Sequence, residues 1–171
     1  MRNLSMKPIL REFEEMLVVG LASPFVSAMS PDANNLAVIP KLWGVYLKRS
    51  AEIQFRASRT DLGIVICPGP GAPKSHPDEK LYLAGTQVTP QGNIPPGMTC
   101  ILVPKGLYAI LTHRGPVQEI GRTMDFIFRV WLPGSGMTLR PAPHVEIYDG
   151  RFCSGEGKSE FDVCIPVERP V

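Results

Sequence analysis

The sequence lacks long hydrophobic runs, since none of its apolar stretches approaches the roughly 20 residues that cross a bilayer. Its first residues also lack the apolar centre of a signal peptide. We therefore expect a cytoplasmic protein with no membrane partner. The surplus of basic residues is small, with 18 Lys and Arg against 16 Asp and Glu and a net charge of +2. This balance predicts no direct contact with nucleic acid.

Close-spaced redox cysteines and metal ligands are missing as well. The four cysteines, Cys67, Cys100, Cys153 and Cys164, form no Cys-x-x-Cys pair, so we expect reduced thiols. The three histidines lie far apart in the sequence, which predicts no metal site. The Gly/Pro-rich stretch 69–75 differs from a phosphate-binding loop, because its prolines remove backbone donors. Neither a metal nor another cofactor is expected.

Glycine and proline are frequent, with 16 and 18 of 171 residues, and this abundance disfavours an all-helical protein. The chain length and the 44% of hydrophobic residues suit one domain with a substantial core.

The order strand, helix, strand, strand occurs twice along the chain. The first copy has a strand at 16–25, a helix with apolar residues at Ile39, Leu42, Trp43, Tyr46 and Leu47 and with Pro40 in its first turn, and strands at 62–67 and 81–88. The second has a strand interrupted by a bulge or a tight turn at 100–113, a helix with Val117, Ile120, Met124, Ile127, Phe128 and Trp131 on one face, and strands at 144–149 and 161–167.

Neither copy can cover its apolar faces alone. The pattern therefore predicts an α+β fold in which two strand-helix-strand-strand units form one antiparallel sheet, with both helices on one face. A groove is expected at the pseudo-twofold seam between the halves, about 16–90 and 99–168. We predict one domain at 16–171, preceded by an N-terminal extension at 1–15.

One acidic residue near the end of the chain has two possible environments. Strand alternation places His144, Glu146 and Tyr148 on one face, and such a polar face of a strand is ordinarily exposed to solvent. The second possibility depends on how the last hairpin pairs.

If that hairpin is symmetric about its loop at 150–159, Glu146 lies opposite Val163 and Tyr148 lies opposite Phe161, both in an apolar row. Glu146 would then be surrounded by hydrophobic side chains. A shift of one residue reverses the conclusion, so the sequence leaves both environments open.

The aromatic residues also leave alternatives open. Trp43 and Trp131 have the helical spacing that is typical of core residues. Tyr82 and Tyr108 lie on strands, where a core position and a pocket rim are about equally expected, because a buried hydroxyl needs a partner.

Seven motifs occur in order along the chain. They are IPKLW at 39–43, LYLAG at 81–85, PKGLYA at 104–109, HRGP at 113–116, WLPGSG at 131–136, VEIYD at 145–149 and IPV at 165–167. Together they resemble the GyrI-like small-molecule-binding domain, the effector-binding domain of AraC-type and multidrug-responsive bacterial transcription activators. Those regulators also carry a helix-turn-helix module, for which residues 1–15 leave no room, so we expect a stand-alone form.

The resemblance implies roles for two residues. Glu146 matches the glutamate of the family's Glu-x-Tyr-Asp segment, a buried acid that meets cationic, lipophilic ligands, and Trp43 matches an aromatic position of the first helix. The predicted orientation of side chains on the strands and helices suggests further aromatic residues as ligand contacts. The predicted ligand-binding residues are Glu146, Trp43, Tyr82, Tyr108, Trp131, Tyr148 and Phe161.

Three function classes follow. We favour a binder or sensor of lipophilic, often cationic aromatic compounds such as drugs or toxins. The resemblance also admits a hydrolase that detoxifies cyclopropane-containing electrophiles, with Glu146 as the base and Tyr108 or Tyr82 as its partner. A protein-interaction module is the third class, although no acidic run that could imitate DNA indicates a particular protein partner.

Overall fold

The computed structural model describes residues 7–153 and 158–171, and within them nine strands form an antiparallel sheet. The strands are β1 (Ile9–Phe13), β2 (Met16–Val26), β3 (Arg56–Ile66), β4 (Glu79–Val88), β5 (Thr99–Val103), β6 (Gly106–Arg114), β7 (Thr138–Leu139), β8 (His144–Tyr148) and β9 (Glu160–Glu168). Their order across the sheet is β1, β6, β9, β8, β3, β4, β2, β5, and the short β7 pairs with β9. Part of the loop predicted at 150–159 lies outside the described residues.

Helices follow the first strand of each half. They are α1 (Asn35–Arg49) with a 3-10 turn at Ser50–Glu52, and a second helical segment, 117–135, made of a 3-10 turn (Val117–Glu119), α2 (Ile120–Asp125), a π-helix (Phe126–Trp131) and α3 (Leu132–Ser135). Each presents an apolar face to the sheet, as the 3.6-residue spacing predicts. None of the helices in the described ranges has the length and apolar character needed to cross a bilayer.

The first helix begins earlier than the sequence predicts. Proline is expected in a first turn because it has no N–H to donate, but Pro40 lies inside α1. The helix starts at Asn35 instead, where the Asn34 carbonyl accepts hydrogen bonds from the amides of Ala37 and Val38. Pro40 leaves the carbonyl of Leu36 without its usual helical partner, and Leu36 is half exposed, so water can satisfy that group.

The two halves are related as the sequence predicts. β2, α1, β3 and β4 form one unit, and β6, the second helical segment, β8 and β9 form the other. β3 and β8 pair at the centre of the sheet and so create the seam between the units. β1 precedes β2 but pairs with β6, whereas β5 precedes β6 but pairs with β2, so each unit receives an edge strand from the other.

This exchange explains two differences from the prediction. The strand expected at 100–113 is two strands with different partners, because Pro104 offers no amide and Gly106 adopts a φ of 155°, so the chain turns between β5 and β6. β1 lies within the segment expected to be an extension, and its largely exposed residues carry no alternating apolar pattern.

The sheet is curled, and its two faces bury separate groups of side chains. The face without helices closes on a cluster that includes Val18, Ile64 and Tyr108. On the helical face, α1 covers a cluster around Tyr46 and Tyr82, while the second helical segment covers another cluster in the second half. The seam between the two helix-covered clusters is the groove.

Candidate binding site

The groove lies between α1 and the start of the second helical segment, above the β3 and β8 strands. Its inner part is a cavity of about 80 Å³ that reaches Glu146 and His144. Its outer part is a wider pocket of about 750 Å³ lined by Trp43 and other residues. The two parts share Tyr148 and residues of both helical elements, so they form one continuous depression.

Glu146 occupies the centre of this groove. Its Oε2 atom accepts hydrogen bonds from the hydroxyls of Tyr82 at 2.6 Å and Tyr148 at 2.8 Å. The side chain is half-buried, and within the described ranges no lysine or arginine forms a salt bridge with it. The carboxylate is therefore held by neutral donors, without a salt bridge from the described part of the chain.

The pairing of the last hairpin decides this environment. Glu146 lies opposite Val163, as the symmetric hairpin predicts, and Phe161 stacks on the ring of Tyr148 with centroids 4.8 Å apart. The alternative, in which this face is exposed to solvent, is wrong, because helical elements cover it and His144 is only 8% exposed.

Burial controls the acid–base properties of the centre. It raises the pKa of the Glu146 carboxyl above its ordinary value, and the hydrogen bonds from Tyr82 and Tyr148 offset part of that rise. Burial and the neighbouring Glu146 charge raise the pKa of both phenols well above the ordinary value. The two hydroxyls therefore remain donors, and Glu146 is the group that can bind a cation or accept a proton.

The glycine opposite Glu146 leaves space for the hydrogen bond between Glu146 and the Tyr82 hydroxyl. Gly63 of β3 pairs directly with Glu146. A Cβ atom at Gly63 would lie 2.1 Å from the Tyr82 hydroxyl oxygen and 2.7 Å from Glu146 Oε2. Any larger residue there would push the two partners apart.

Trp43 extends the hydrogen-bond chain and forms a wall of the groove. Its indole Nε1 donates to the Tyr82 hydroxyl at 3.1 Å. Its ring meets that of Tyr148 edge to face, with centroids 5.1 Å apart. On the other side of Tyr148, Phe152 also meets the ring edge to face, at 4.9 Å. The outer pocket is therefore bounded by three aromatic rings.

The predicted binding residues separate into three groups. Glu146, Trp43 and Tyr148 line the groove. Tyr82 and Phe161 are fully buried behind it, where Tyr82 holds Glu146 and Phe161 supports Tyr148. The remaining two, Tyr108 and Trp131, lie elsewhere.

Tyr108 points to the other face of the sheet. It stacks on Phe13 with centroids 4.5 Å apart, donates its hydroxyl hydrogen bond to the Pro143 carbonyl and lies beneath Arg140. The predicted groove position is wrong because alternation along β6 sends Ala109 toward the helices and its neighbour Tyr108 away from them. A hydrolytic pair formed by Glu146 with Tyr108 is excluded by the same geometry.

Trp131 lies at the far end of the second helical segment, against a different surface depression that includes Met137. The groove is lined by the start of this segment, at Val117, Ile120 and Met124. Trp131 follows Ile120 by eleven residues, which at about 1.5 Å per residue places it roughly 16 Å further along the axis. Its predicted groove position is wrong for that reason.

Sequence reasoning missed several groove residues. Ile39, Pro40 and Val117 were expected to serve only helix packing or helix initiation, although they form the rims of the seam. His144 is not among the predicted binding residues, although the sequence places it on the same strand face as Glu146. The useful signal was its spacing of two residues from Glu146, which places both on one side of β8.

The family model of the GyrI-like small molecule binding domain matches residues 6–168. The chain belongs to the GyrI-like family. Among curated proteins, the transcriptional regulator BrlR of Pseudomonas aeruginosa is 28% identical over 130 residues, which cover 75% of this chain and 46% of BrlR. The probable transcriptional regulator YgiV of Escherichia coli is 38% identical over 64 residues, which cover 36% of this chain and 39% of YgiV.

The matched residues thus cover less than half the length of both relatives. Among solved structures, that of SAV2435 bound to tetraphenylphosphonium superposes with a TM-score of 0.70 and 17% identity, covering 95% of this chain and 94% of that chain. At this level of identity the similarity shows a common fold.

Proposed function

We propose that this GyrI-like domain binds lipophilic, cationic aromatic molecules in the seam groove, with Glu146 as the counter-charge. The observation that carries the proposal is the half-buried carboxylate, which accepts hydrogen bonds from two phenols and has no salt-bridge partner among the residues that the structure describes. An ionised group in such a place is costly, and an arriving cation relieves that cost. The rings of Trp43 and Tyr148 beside it offer apolar area and cation–π contacts.

The dimensions of the groove support a ligand of this kind. Ligand pockets commonly enclose about 300–1,000 Å³, and the outer pocket of about 750 Å³ falls in this range. The inner cavity of about 80 Å³ can take only one arm of such a molecule. A ligand that rests on Trp43 and extends an aryl arm toward Glu146 would use both parts.

Two further observations support the proposal. SAV2435, which shares the fold, was solved with a lipophilic cation, tetraphenylphosphonium. BrlR is a transcriptional regulator and YgiV is a probable transcriptional regulator, and so we include in the proposal that ligand binding serves multidrug or toxin sensing or sequestration. The four cysteines are free, which suits the cytoplasm as the place of this activity.

The experiment is a calorimetric titration of tetraphenylphosphonium into the wild type and Glu146→Gln. At about 5 Å and an effective dielectric constant of about 20, opposite unit charges attract by about 3 kcal/mol. Because the cation also loses hydration on binding, we expect the affinity to fall about 10- to 100-fold in the variant.

Two controls make the test specific. Glu14→Gln removes the same charge at an exposed ion pair with Lys105, far from the groove, and should leave the affinity unchanged. Triphenylphosphine oxide, a neutral aryl compound, should lose little affinity on Glu146→Gln. Equal losses for the cation and the neutral probe, or no loss for either, would contradict the proposal.

A further inference from the structure

The inner end of the groove contains a buried histidine with no partner. His144 precedes Glu146 by two residues on the same face of β8, lines the inner cavity and is 8% exposed. Its Nδ1 atom is fully buried without a hydrogen-bond partner, and no hydrogen bond to Nε2 comes from the part of the chain that the structure describes. Phe128 covers one side of the ring, with centroids 5.9 Å apart.

The other buried histidine of this fold, His113, shows that both ring nitrogens of a buried histidine can find hydrogen-bond partners here. His113 is 2% exposed, and its Nδ1 lies 2.7 Å from Thr123 Oγ1 while its Nε2 lies 3.0 Å from the Pro116 carbonyl. Both nitrogens of this structural histidine are therefore paired. Buried polar groups left unpaired are uncommon and cost free energy, so His144 has a role that packing alone does not explain.

The charge state of His144 limits what it can bind. Burial, with a smaller effect from the Lys80 ammonium, lowers the pKa of His144 to about 4. The ring is therefore neutral near pH 7 and offers one N–H donor and one lone pair. It can hydrogen-bond to a hydroxyl, a carbonyl or an ether, but it supplies no charge.

Lys80 gives this end of the cavity a polarity opposite to that at Glu146. It lines the same cavity, and within the described ranges it forms no salt bridge. An ammonium group favours oxygen atoms and repels a second cation. Residues two apart on a strand are about 6–7 Å apart, so one small molecule can reach both His144 and Glu146.

We propose that the inner cavity is a subsite for an oxygen-bearing arm of the ligand, with His144 as the hydrogen-bonding residue. The inference rests on the proposed function and defines its ligand class more narrowly. The ligand is a monocation whose charged centre lies at Glu146 and whose neutral hydroxyl, carbonyl or ether oxygen lies some 6–7 Å away. Lys80 disfavours dications in this groove.

The test uses two phosphonium probes of nearly equal shape, (4-hydroxymethylphenyl)triphenylphosphonium and (4-ethylphenyl)triphenylphosphonium. Both are titrated into the wild type, His144→Phe and His144→Gln. We expect the wild type to bind the hydroxymethyl probe about three- to tenfold more tightly, as one net hydrogen bond allows. The ratio of the two affinities cancels any change that His144→Phe imposes on both probes, and this ratio should fall to about one in His144→Phe and recover in part in His144→Gln.

The outcomes separate this inference from the function on which it rests. Equal affinities of the wild type for the two probes would overturn the inference and leave the proposed function intact. A hydroxyl preference that persists in His144→Phe would also overturn it. Failure of both probes to bind the wild type would overturn both proposals. Circular dichroism and unfolding of the two variants verify that they fold, and either folded variant suffices for the comparison.

Discussion

Tyr82→Phe tests how the protein holds a carboxylate without a counter-charge. The Tyr82 hydroxyl donates to Glu146 Oε2 at 2.6 Å and accepts from Trp43 Nε1 at 3.1 Å. The ring is fully buried and does not line the groove, so the substitution removes only the hydroxyl. Any effect on ligand binding must therefore pass through Glu146 or Trp43.

Removing the Tyr82 hydroxyl has two effects, one on Trp43 and one on Glu146. The Trp43 indole N–H loses its acceptor, and a partly buried donor without a partner costs about 1–3 kcal/mol of unfolding free energy. The Glu146 carboxylate also loses one of its two donors, and since that bond lowers the pKa, its removal raises the pKa further.

The sign of the pH dependence follows from that shift. An acid whose pKa is higher in the folded state than in the unfolded state destabilises the fold as pH rises through the interval between those values. Tyr82→Phe should therefore lose more stability above that interval, where Glu146 is ionised in both states, than below it, where Glu146 is protonated in both states. Cation binding needs the carboxylate, so acidification should abolish it at a higher pH in the variant than in the wild type.

Urea unfolding and calorimetric titration of tetraphenylphosphonium, each from neutral to mildly acidic pH, measure the two effects. Tyr46→Phe is the matched control, because Tyr46 is equally buried in the same cluster but donates to Asp61 at 2.8 Å. It should lower stability without moving the pH at which binding is lost. The reasoning fails if the two variants share one binding profile, or if Tyr82→Phe unfolds like the wild type.

Two further predictions concern the space around the acid and the opposite face of the sheet. Gly63→Ala places a Cβ 2.1 Å from the Tyr82 hydroxyl oxygen, so it should weaken tetraphenylphosphonium binding and lower the unfolding free energy by about 1–3 kcal/mol. Gly121→Ala, with nothing within 4 Å, should do neither in the same titration and urea unfolding. Tyr108→Phe loses the hydrogen bond to the Pro143 carbonyl, and should cost about 1 kcal/mol in urea unfolding while cation affinity stays unchanged. A fall in that affinity would mean that Tyr108 reaches the groove.

The fold was largely predictable because its signals are local. Apolar spacing gave both helical elements, and the repeated order of elements gave the two units, the single sheet and the seam. The exchange of β1 and β5 between units could not be predicted, because edge pairing depends on contacts between residues far apart in sequence. Ile9 pairs with Ile110 across about half the chain, and nothing near either residue indicates the other.

The environment of Glu146 depends on the register of one hairpin, formed by β8 and β9. A symmetric hairpin predicts the pairing of Glu146 with Val163, but the sequence left the register open, and the structure decides it. The predicted groove positions of Tyr108 and Trp131 were wrong for two different reasons. The position of Tyr108 depends on which set of alternating β6 residues faces the helices. The position of Trp131 depends on where the groove ends along the second helical segment. Composition and spacing do not distinguish a groove position from a core position, because Tyr108 and Trp131 fit either one.

The central pair of the seam carries one acid, although the fold is duplicated. β3 and β8 are adjacent equivalents, and the pair at their centre joins Gly63 to Glu146. Two carboxylates at this pair would repel each other in a poorly hydrated site, whereas glycine on one side leaves space for the Tyr82 hydroxyl to reach the acid on the other. We therefore expect the proposed affinity for a cation to depend on this asymmetry between the halves, and a residue with a side chain at Gly63 should weaken binding even though it adds no charge.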